Sequence, residues 1–368
     1  MSHSFHTLTV KQITRETTDT ITLTFDVPDG LSEQYQFTQG QYLTLRFMLG
    51  GKEERRSYSM CSSPLESGLS VTVKRVKGGK VSNHVHDKLK VGDVVDVMTP
   101  DGRFFTELND ENKKNYYLVG AGSGITPLMS ILKTILEKEP MSFVHLLFGS
   151  RNEDEIIFKN QLDTLSRRYE GQLMVEHVLS QPKLEKSKGL GGLFSKGKPT
   201  WAGKTGRIDG KVFQKFIEEN PPRHKQSEYF LCGPGSMIDA VEKALLGTGV
   251  DKKNIHHEYF TASPTGAPAG AAGNVVAGAK LTAYLDGRKI ETTVTKGKHL
   301  LFAVIDAGGD APYSCTSGAC ATCMAKVTKG TVKMDACYAL DESEIKQGYI
   351  LTCQAHPTSE EVEITYEV

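Results

Sequence analysis

The sequence predicts a multidomain chain: an antiparallel β-barrel, a doubly wound parallel α/β domain and a smaller cysteine-bearing domain at the C-terminal end. Three observations carry this. The apolar period changes near residue 113 from strand following strand to strand alternating with helix. An uncharged stretch rich in Pro, Gly and Ala, TASPTGAPAGAAGNVVAGA over 261–279, then reads as a linker. Beyond it lie five cysteines, three of them within nine positions. The corresponding boundaries are 1–112, 113–262, a linker at 263–279, and 280–368.

Composition excludes several classes of function. Charged residues make up 24% and hydrophobic ones 38% of the 368 residues, which is ordinary globular material with enough apolar content for a core. Lys plus Arg and Asp plus Glu both number 44, so no global field favours nucleic acid or a membrane surface as partner. From Asp335 onward, eight acidic residues face one basic residue, Lys346. A basic partner surface could read that stretch, although a solvated face explains it as well. MSHSFHTLTV lacks the pattern of a secretory signal, and YYLVGAGSGITPLMSIL is too short and glycine-rich to span a bilayer. The expected location is cytoplasmic, where lasting disulfides are rare.

In the first domain DTITLTFDV, QYLTLRFML and GLSVTVKRV have strand length and pattern, with polar and glycine-rich turns between them. In the second, YYLVGAG leads into TPLMSILKTILEK, with Thr126 placed as N-cap, Pro127 at the first helical position, and Leu128, Ile131, Leu132 and Ile135 on one face. FVHLLFGS precedes EDEIIFKNQLDTLSRRY, LMVEHVLS follows, and EYFLCGPG precedes SMIDAVEKALLGTG. A Lys/Gly-rich segment at 183–201 interrupts this order as a surface insertion. The last domain opens with KLTAYLDGRKIETTVTKG, a hairpin turned at Asp286-Gly287.

Cys315 and Cys320 are separated by four residues, Cys320 and Cys323 by two, and Cys353 follows at a distance. Zinc sites usually receive their ligands as two close pairs. This spacing is instead that of plant-type 2Fe-2S ferredoxins, with zinc as the alternative. Gly318 and its small neighbours allow backbone amides to curl toward a cluster. Cys337 lies outside the pattern and reads as an ordinary thiol. CTSGACATC followed by ALDESEIKQGYILTCQA resembles the C-terminal ferredoxin of oxygenase reductases. The resemblance implies a β-grasp domain with Cys315, Cys320, Cys323 and Cys353 as iron ligands.

A 2Fe-2S centre accepts single electrons whereas a nicotinamide gives a hydride, so a flavin is expected between them. RRSYSMCSSP contains Arg56, Tyr58 and Ser59 in an Arg-x-Tyr-Ser order that resembles the flavin motif of the ferredoxin-NADP reductase superfamily. Arg56 would clamp pyrophosphate and Tyr58 lie along the flavin; the tetrapeptide alone is also compatible with a plain barrel strand. By the same likeness Val73, Lys74 and Arg75 line the flavin, while Gly79, Lys80, Val81 and Ser82 hold phosphate at a helix start, which implies FAD.

VGAGSGITPL places Gly120, Gly122 and Gly124 before Thr126 and Pro127, a glycine-rich strand-to-helix turn suited to pyrophosphate. With YFLCGPGSM it resembles the superfamily's pyridine-nucleotide site. There Cys232, Gly233 and Pro234 stand by the nicotinamide, Cys232 beside the hydride path; a small core residue is the alternative for Cys232. HHEYFTA resembles the closing Glu-x-Phe, which puts Glu258 and Phe260 near the flavin, with a plain edge strand as the alternative. Ser150 and Arg151 end the second parallel strand and favour NADPH, whereas Glu153, Asp154 and Glu155 are read as acids at a helix start.

Order and motifs together resemble phenylacetyl-CoA epoxidase reductases and related oxygenase reductases over nearly the whole chain. The resemblance implies electron flow from NADPH through FAD and a 2Fe-2S cluster to a terminal oxygenase or another one-electron acceptor. The alternatives are a stand-alone reductase of a soluble redox or haem protein, and a redox sensor without turnover.

Overall fold

The computed structural model describes residues 4–185, 197–260, 269–271 and 273–368. The middle of the Lys/Gly-rich insertion (186–196) and residues 261–268 and 272 of the linker stretch lie outside the described residues. The barrel and the parallel sheet belong to one compact unit, and Tyr259–Val368 form the bulk of another.

The barrel consists of β1 (Phe5–Thr17), β2 (Thr20–Asp26), β3 (Tyr42–Leu49), β4 (Lys52–Ser59), β5 (Leu69–Lys74) and β6 (Val94–Met98), with helix α1 (Lys80–Asp87) between the last two. The sheet order is β4-β3-β6-β1-β2-β5. It closes through a bridge between Met60 and Val71, where the Cys61 amide also donates to the Ser70 carbonyl at 2.9 Å. Leu8, Leu23, Leu43, Leu45, Val71 and Val97 fill the interior with no exposed surface. Burying each such side chain contributes about 1.5 to 3 kcal/mol. β4 carries Lys-Glu-Glu-Arg-Arg in its first half, and pairing with β3 rather than apolar alternation makes it a strand.

The second sheet is built from β7 (Lys114–Ala121), β8 (Phe143–Ser150), β9 (Leu173–Leu179), the short β12 (Lys204–Thr205), β13 (Gln226–Gly233) and β14 (Ile255–Tyr259). A small ribbon, β10 (Leu184–Glu185) against β11 (Lys198–Pro199), flanks the insertion. Helices α2 (Ile125–Lys138), α3 (Lys159–Arg168), α4 (Gly210–Glu219) and α5 (Gly235–Gly247) connect the strands. The order β12-β9-β8-β7-β13-β14 reverses direction at β7, and β7 pairs in parallel with both β8 and β13. The predicted apolar face of α2 is fully buried at Leu128, Ile131, Leu132 and Ile135.

Two helix starts differ from the sequence expectation. A 3₁₀ turn over Gly122–Gly124 runs into α2, so Thr126 lies inside the helix and its hydroxyl donates to the Ser123 carbonyl at 2.8 Å instead of capping. Glu153, Asp154 and Glu155 form a separate 3₁₀ turn, and α3 begins only at Lys159 after Phe158 at φ 60°. These acids therefore do not serve the α3 dipole. The barrel and this sheet are joined by buried hydroxyls: Ser130 Oγ donates to the Ser62 carbonyl at 2.6 Å, and Ser63 and Thr134 hydroxyls meet at 2.9 Å.

The other unit contains β15 (Ala269–Gly270), β16 (Ala279–Leu285), β17 (Arg288–Val294), α6 (Leu300–Asp306), β18 (Met324–Lys329), β19 (Val332–Met334), α7 (Glu342–Lys346), β20 (Tyr349–Leu351), β21 (Ala355–Pro357) and β22 (Glu361–Thr365). Its main sheet runs β17-β16-β22-β18-β20, with the first and last long strands, β16 and β22, parallel in the middle, a β-grasp arrangement. Asp286 and Gly287 turn the opening hairpin at φ 51° and 70°, the left-handed pair that a two-residue turn requires. A second sheet, β15-β19-β21, takes in residues that composition assigns to the linker. The amides of Ala271, Val276 and Gly278 likewise donate to Val332, Pro357 and Val294 at 2.9 Å.

One close approach sets the turn after β7. A Cβ on residue 124 would lie 2.0 Å from the Cys232 carbonyl oxygen, whereas a Cβ on residue 122 would meet nothing within 4 Å. Gly122, at φ 57°, is required by conformation and Gly124 by space. Gly122→Ala is expected to cost about 1 kcal/mol for the left-handed backbone. Gly124→Ala is expected to cost about 3 kcal/mol or more, because backbone must move. Denaturant unfolding of the two variants checks the order; equal losses would mean that the turn can shift freely.

Candidate functional site

The reversal of strand order at β7 opens a crevice at the carboxyl ends of β7 and β13, where nucleotides bind in sheets of this kind. The 120–124 turn and the Cys232–Gly233 strand end meet there. Gly120 is held against Leu128, with a would-be Cβ 2.7 Å from its Cδ1, so of the three glycines only Gly122 has room around it. The Ile125 helix start has no side-chain cap, and neither does the α5 start at Pro234. Pro127 is buried in the first turn of α2. Cys232 is fully buried within the apolar core, and burial, followed by the nearby Glu258, holds its thiol well above the usual range.

Glu258, on β14, accepts a hydrogen bond of 3.0 Å from Ser59 Oγ at the end of β4. Burial raises its carboxyl to about 8, against a smaller lowering by Ser59. Three residues distant in sequence, Ser59, Cys232 and Glu258, are thus brought into one neighbourhood, with a carboxyl that keeps its proton at neutral pH. Phe260 follows β14 as an exposed ring.

On the barrel side, Arg56 is exposed on β4 and Tyr58 is half-buried against the barrel core. Val73 and Val81 lie in that core, so only their backbones are available to a ligand. Arg75 bonds Asn83 at 3.0 Å and Asp87 at 2.7 Å, and Lys80 pairs with Glu54. Gly79 is the N-cap of α1 and has no capping side chain; Ser82 Oγ instead accepts from the Val76 amide at 3.1 Å. The first amides of α1 are therefore open to an anion, whereas α4 and α7 are capped by Asp209 and Asp341.

At the end of β8 the Ser150 hydroxyl is buried without a hydrogen-bond partner among the described residues. Arg151 is exposed and pairs with Glu155, and its Nη2 lies 3.4 Å from Asp19 of the β1–β2 turn. Lys74 completes the group, 3.2 Å from Asp19 and 3.8 Å from Glu155. Sequence reading missed Asp19, which lies 132 positions from Arg151 and in no motif.

The four cysteines of the motif are all free thiols in the β-grasp unit, and Cys320, Cys323 and Cys353 are buried. Cys320 hydrogen-bonds Cys315, which with the Ser317 amide brings the Cys315 thiol down to about 5; the proton stays on Cys320, which is raised. Cys323 is raised by its bond to Cys353. Such sharing of protons among buried sulfurs is what a metal centre would resolve. Gly318 adopts φ 76°, and a Cβ there would stand 2.8 Å from the Ala336 carbonyl, so the loop closes tightly only with glycine. Cys337 is half-buried, and its thiol is pushed up to about 11 by burial.

Residues 7–106 match the family described as oxidoreductase FAD-binding domain, 118–243 the oxidoreductase NAD-binding domain, and 283–358 the 2Fe-2S iron-sulfur cluster binding domain. The chain is 36% identical over 366 residues to a subunit of the 1,2-phenylacetyl-CoA epoxidase of Escherichia coli, covering 99% of this chain and 98% of the relative. It belongs to the oxygenase reductases of the ferredoxin-NADP reductase superfamily. The 3-ketosteroid-9-alpha-monooxygenase ferredoxin reductase component of Rhodococcus rhodochrous is 33% identical to this reductase, over 98% and 96% of the two chains. Phthalate dioxygenase reductase shares its fold at a TM-score of 0.58 and 22% identity, each chain covered to 98%. Among the described residues no helix of the reductase is long and apolar enough to cross a membrane.

The reductase's residues fit the groups its family implies. The uncapped start of α1 suits a diphosphate, the unpaired Ser150 hydroxyl and open Gly122 suit a nucleotide, and four clustered thiols suit two irons. Cys320→Ser is expected to remove most of the about two irons per chain while leaving flavin content within error; metal analysis and the flavin spectrum check it. Glu258 generates a second expectation. Its native carboxyl keeps a proton that the unfolded chain releases above 4.5, so stability falls as pH climbs from there through about 8. Glu258→Gln should flatten this alkaline fall in melting temperature, and an unchanged profile would count against the assignment.

Proposed function

We propose that this reductase oxidises NADPH and delivers single electrons to a terminal oxygenase of the phenylacetyl-CoA epoxidase type or of another aromatic-degradation system. The observation that carries the reading is the presence in one chain of a four-thiol β-grasp domain, an FAD-type barrel and a nucleotide-binding sheet. Bound in these domains, FAD accepts a hydride from the nicotinamide and the 2Fe-2S centre passes electrons on singly.

The protein's own groups prepare this chemistry. Arg56 and the amides of Gly79, Lys80, Val81 and Ser82 hold the FAD diphosphate, while Tyr58, Val73, Lys74 and Arg75 border the flavin. The 120–124 turn, Thr126, Pro127, Gly233 and Pro234 receive the nucleotide. Ser59 and Glu258 fix a neutral, hydrogen-bonded floor beside buried Cys232, and Phe260 would stand near the flavin. Cys315, Cys320, Cys323 and Cys353 hold the irons. We read its location as cytoplasmic.

Ser150 and Arg151 carry the preference for NADPH, because an unpaired hydroxyl and an exposed guanidinium are partners for a 2′-phosphate. The pairing of Arg151 with Glu155 and Asp19 favours NADH as the second reading, since a phosphate must displace those carboxylates. Steady-state kinetics separate the two. Arg151→Ala is expected to lower kcat/KM for NADPH by roughly 1.5 to 3 kcal/mol, tenfold or more, and to leave NADH nearly unchanged. Equal effects on both nucleotides would reject the NADPH assignment. Reconstituted turnover with a candidate oxygenase tests the acceptor, and electron delivery to a stand-alone haem protein alone would favour a general reductase.

A further inference from the structure

The β-grasp unit holds a second set of metal-type ligands that no part of the electron path uses. His299 precedes α6, Asp335 follows β19, and His356 lies in β21. His299 Nε2 and His356 Nε2 lie 3.1 and 3.0 Å from the same oxygen, Asp335 Oδ2, and one ligand atom from each residue falls within 4.8 Å of the others. The two imidazole rings are 4.2 Å apart at their centroids. Lys298, the adjacent cation, is paired with Asp306.

The hydrogen bonding of His356 decides what this cluster can do. Its Nδ1 is 3.2 Å from the Lys298 carbonyl oxygen. A carbonyl only accepts, so Nδ1 carries the hydrogen, and in the neutral ring Nε2 then presents a lone pair. That lone pair faces a carboxylate oxygen, and a second imidazole nitrogen faces the same oxygen. Protons alone satisfy this arrangement by charging His356, with His299 donating from Nε2 in its neutral form beside it. A divalent cation satisfies both nitrogens and the oxygen at once. The hydrogen bond from the other ring nitrogen to a backbone carbonyl is the usual orienting contact of a metal-bound histidine. The nitrogen-to-oxygen separations are close to the roughly 3.3 Å between neighbouring ligands of a tetrahedral zinc with bonds near 2.0 Å.

We propose that His299, Asp335 and His356 form a binding site for a divalent first-row transition metal of the zinc type, distinct from the four-thiol centre. Two imidazoles and one carboxylate supply three ligands, and exposed Asp335 leaves the fourth position to water. The site ties together the start of α6, the end of β19 and β21. His356 also follows Cys353 by three positions, so bound metal braces the segment that carries the distant cluster ligand. The site does not depend on which nucleotide or oxygenase the reductase serves.

The test uses the full-length holoprotein, stripped of loosely bound metal by chelator and then equilibrated with zinc sulfate. Zinc and iron per chain are measured together, and thermal loss of cluster absorbance is followed with and without zinc. The expected result is about one zinc per chain with iron unchanged, and an upward zinc-dependent shift in the bleaching temperature. Asp335→Asn, an exposed near-isosteric change, and His299→Ala should each weaken zinc binding by about tenfold or more and abolish that shift. Substoichiometric zinc in the wild type, equal retention by Asp335→Asn, or zinc gained only as iron is lost would overturn the proposal.

Discussion

The contact on which the nucleotide-binding half depends is the approach of the Gly124 backbone to the carbonyl of Cys232. It locks the turn after β7 to the end of β13, the two strands between which the sheet changes direction. No side chain of any size fits in that gap, and a would-be Cβ is already 2.0 Å from the oxygen. With the turn seated, α2 drops its apolar face onto the sheet and presents an uncapped amino end to the crevice. The same helix carries Ser130 and Thr134 against Ser62 and Ser63, so the constraint reaches the barrel through three buried hydroxyls and a carbonyl. Barrel and sheet are thereby held in the register that lets Ser59 reach Glu258 across 199 positions of sequence.

Electrostatics divides the labour between the two cofactor regions. Around Cys232 and Glu258 burial suppresses charge: a thiol kept protonated and a carboxyl raised to about 8 give a neutral neighbourhood. Among the motif cysteines the directions split: Cys315 is brought down to about 5 by Cys320 and a backbone amide, while Cys320 and Cys323 are raised. Thiolates are the form that binds a metal.

Much of this was legible in the sequence because the information was local. The Asp286-Gly287 turn and the apolar face of α2 each lie within one element, and each appears where expected. Boundaries set by tertiary contact were harder to read. Thr126 looks like a cap, yet the preceding 3₁₀ turn begins the helix earlier, and the acids at 153–155 stand apart because Phe158 breaks the backbone before α3. β4, charged through its first half, has no periodicity to betray it. The Asp19–Arg151 pair and the His299–Asp335–His356 cluster unite residues from separate elements, and no spacing rule links them. Val73 and Cys232 are both fully buried, so at these positions backbone rather than side chain is open to a ligand.

The β15 strand changes how the β-grasp domain can be regarded as a movable module. Ala269–Gly270 hydrogen-bonds along β19, and the amides of residues 271, 276 and 278 are spent on the same unit. Part of what composition marks as spacer is therefore a cover for a sheet edge. A gene fusion that grafted this domain onto another flavoprotein from its first long strand would leave the β19 edge bare. Unpaired edges recruit strands from other chains, and the graft would carry its own route to self-association. A transplant beginning at Ala269 brings the cover with it, and evolutionary shuffling of such reductases faces the same joint.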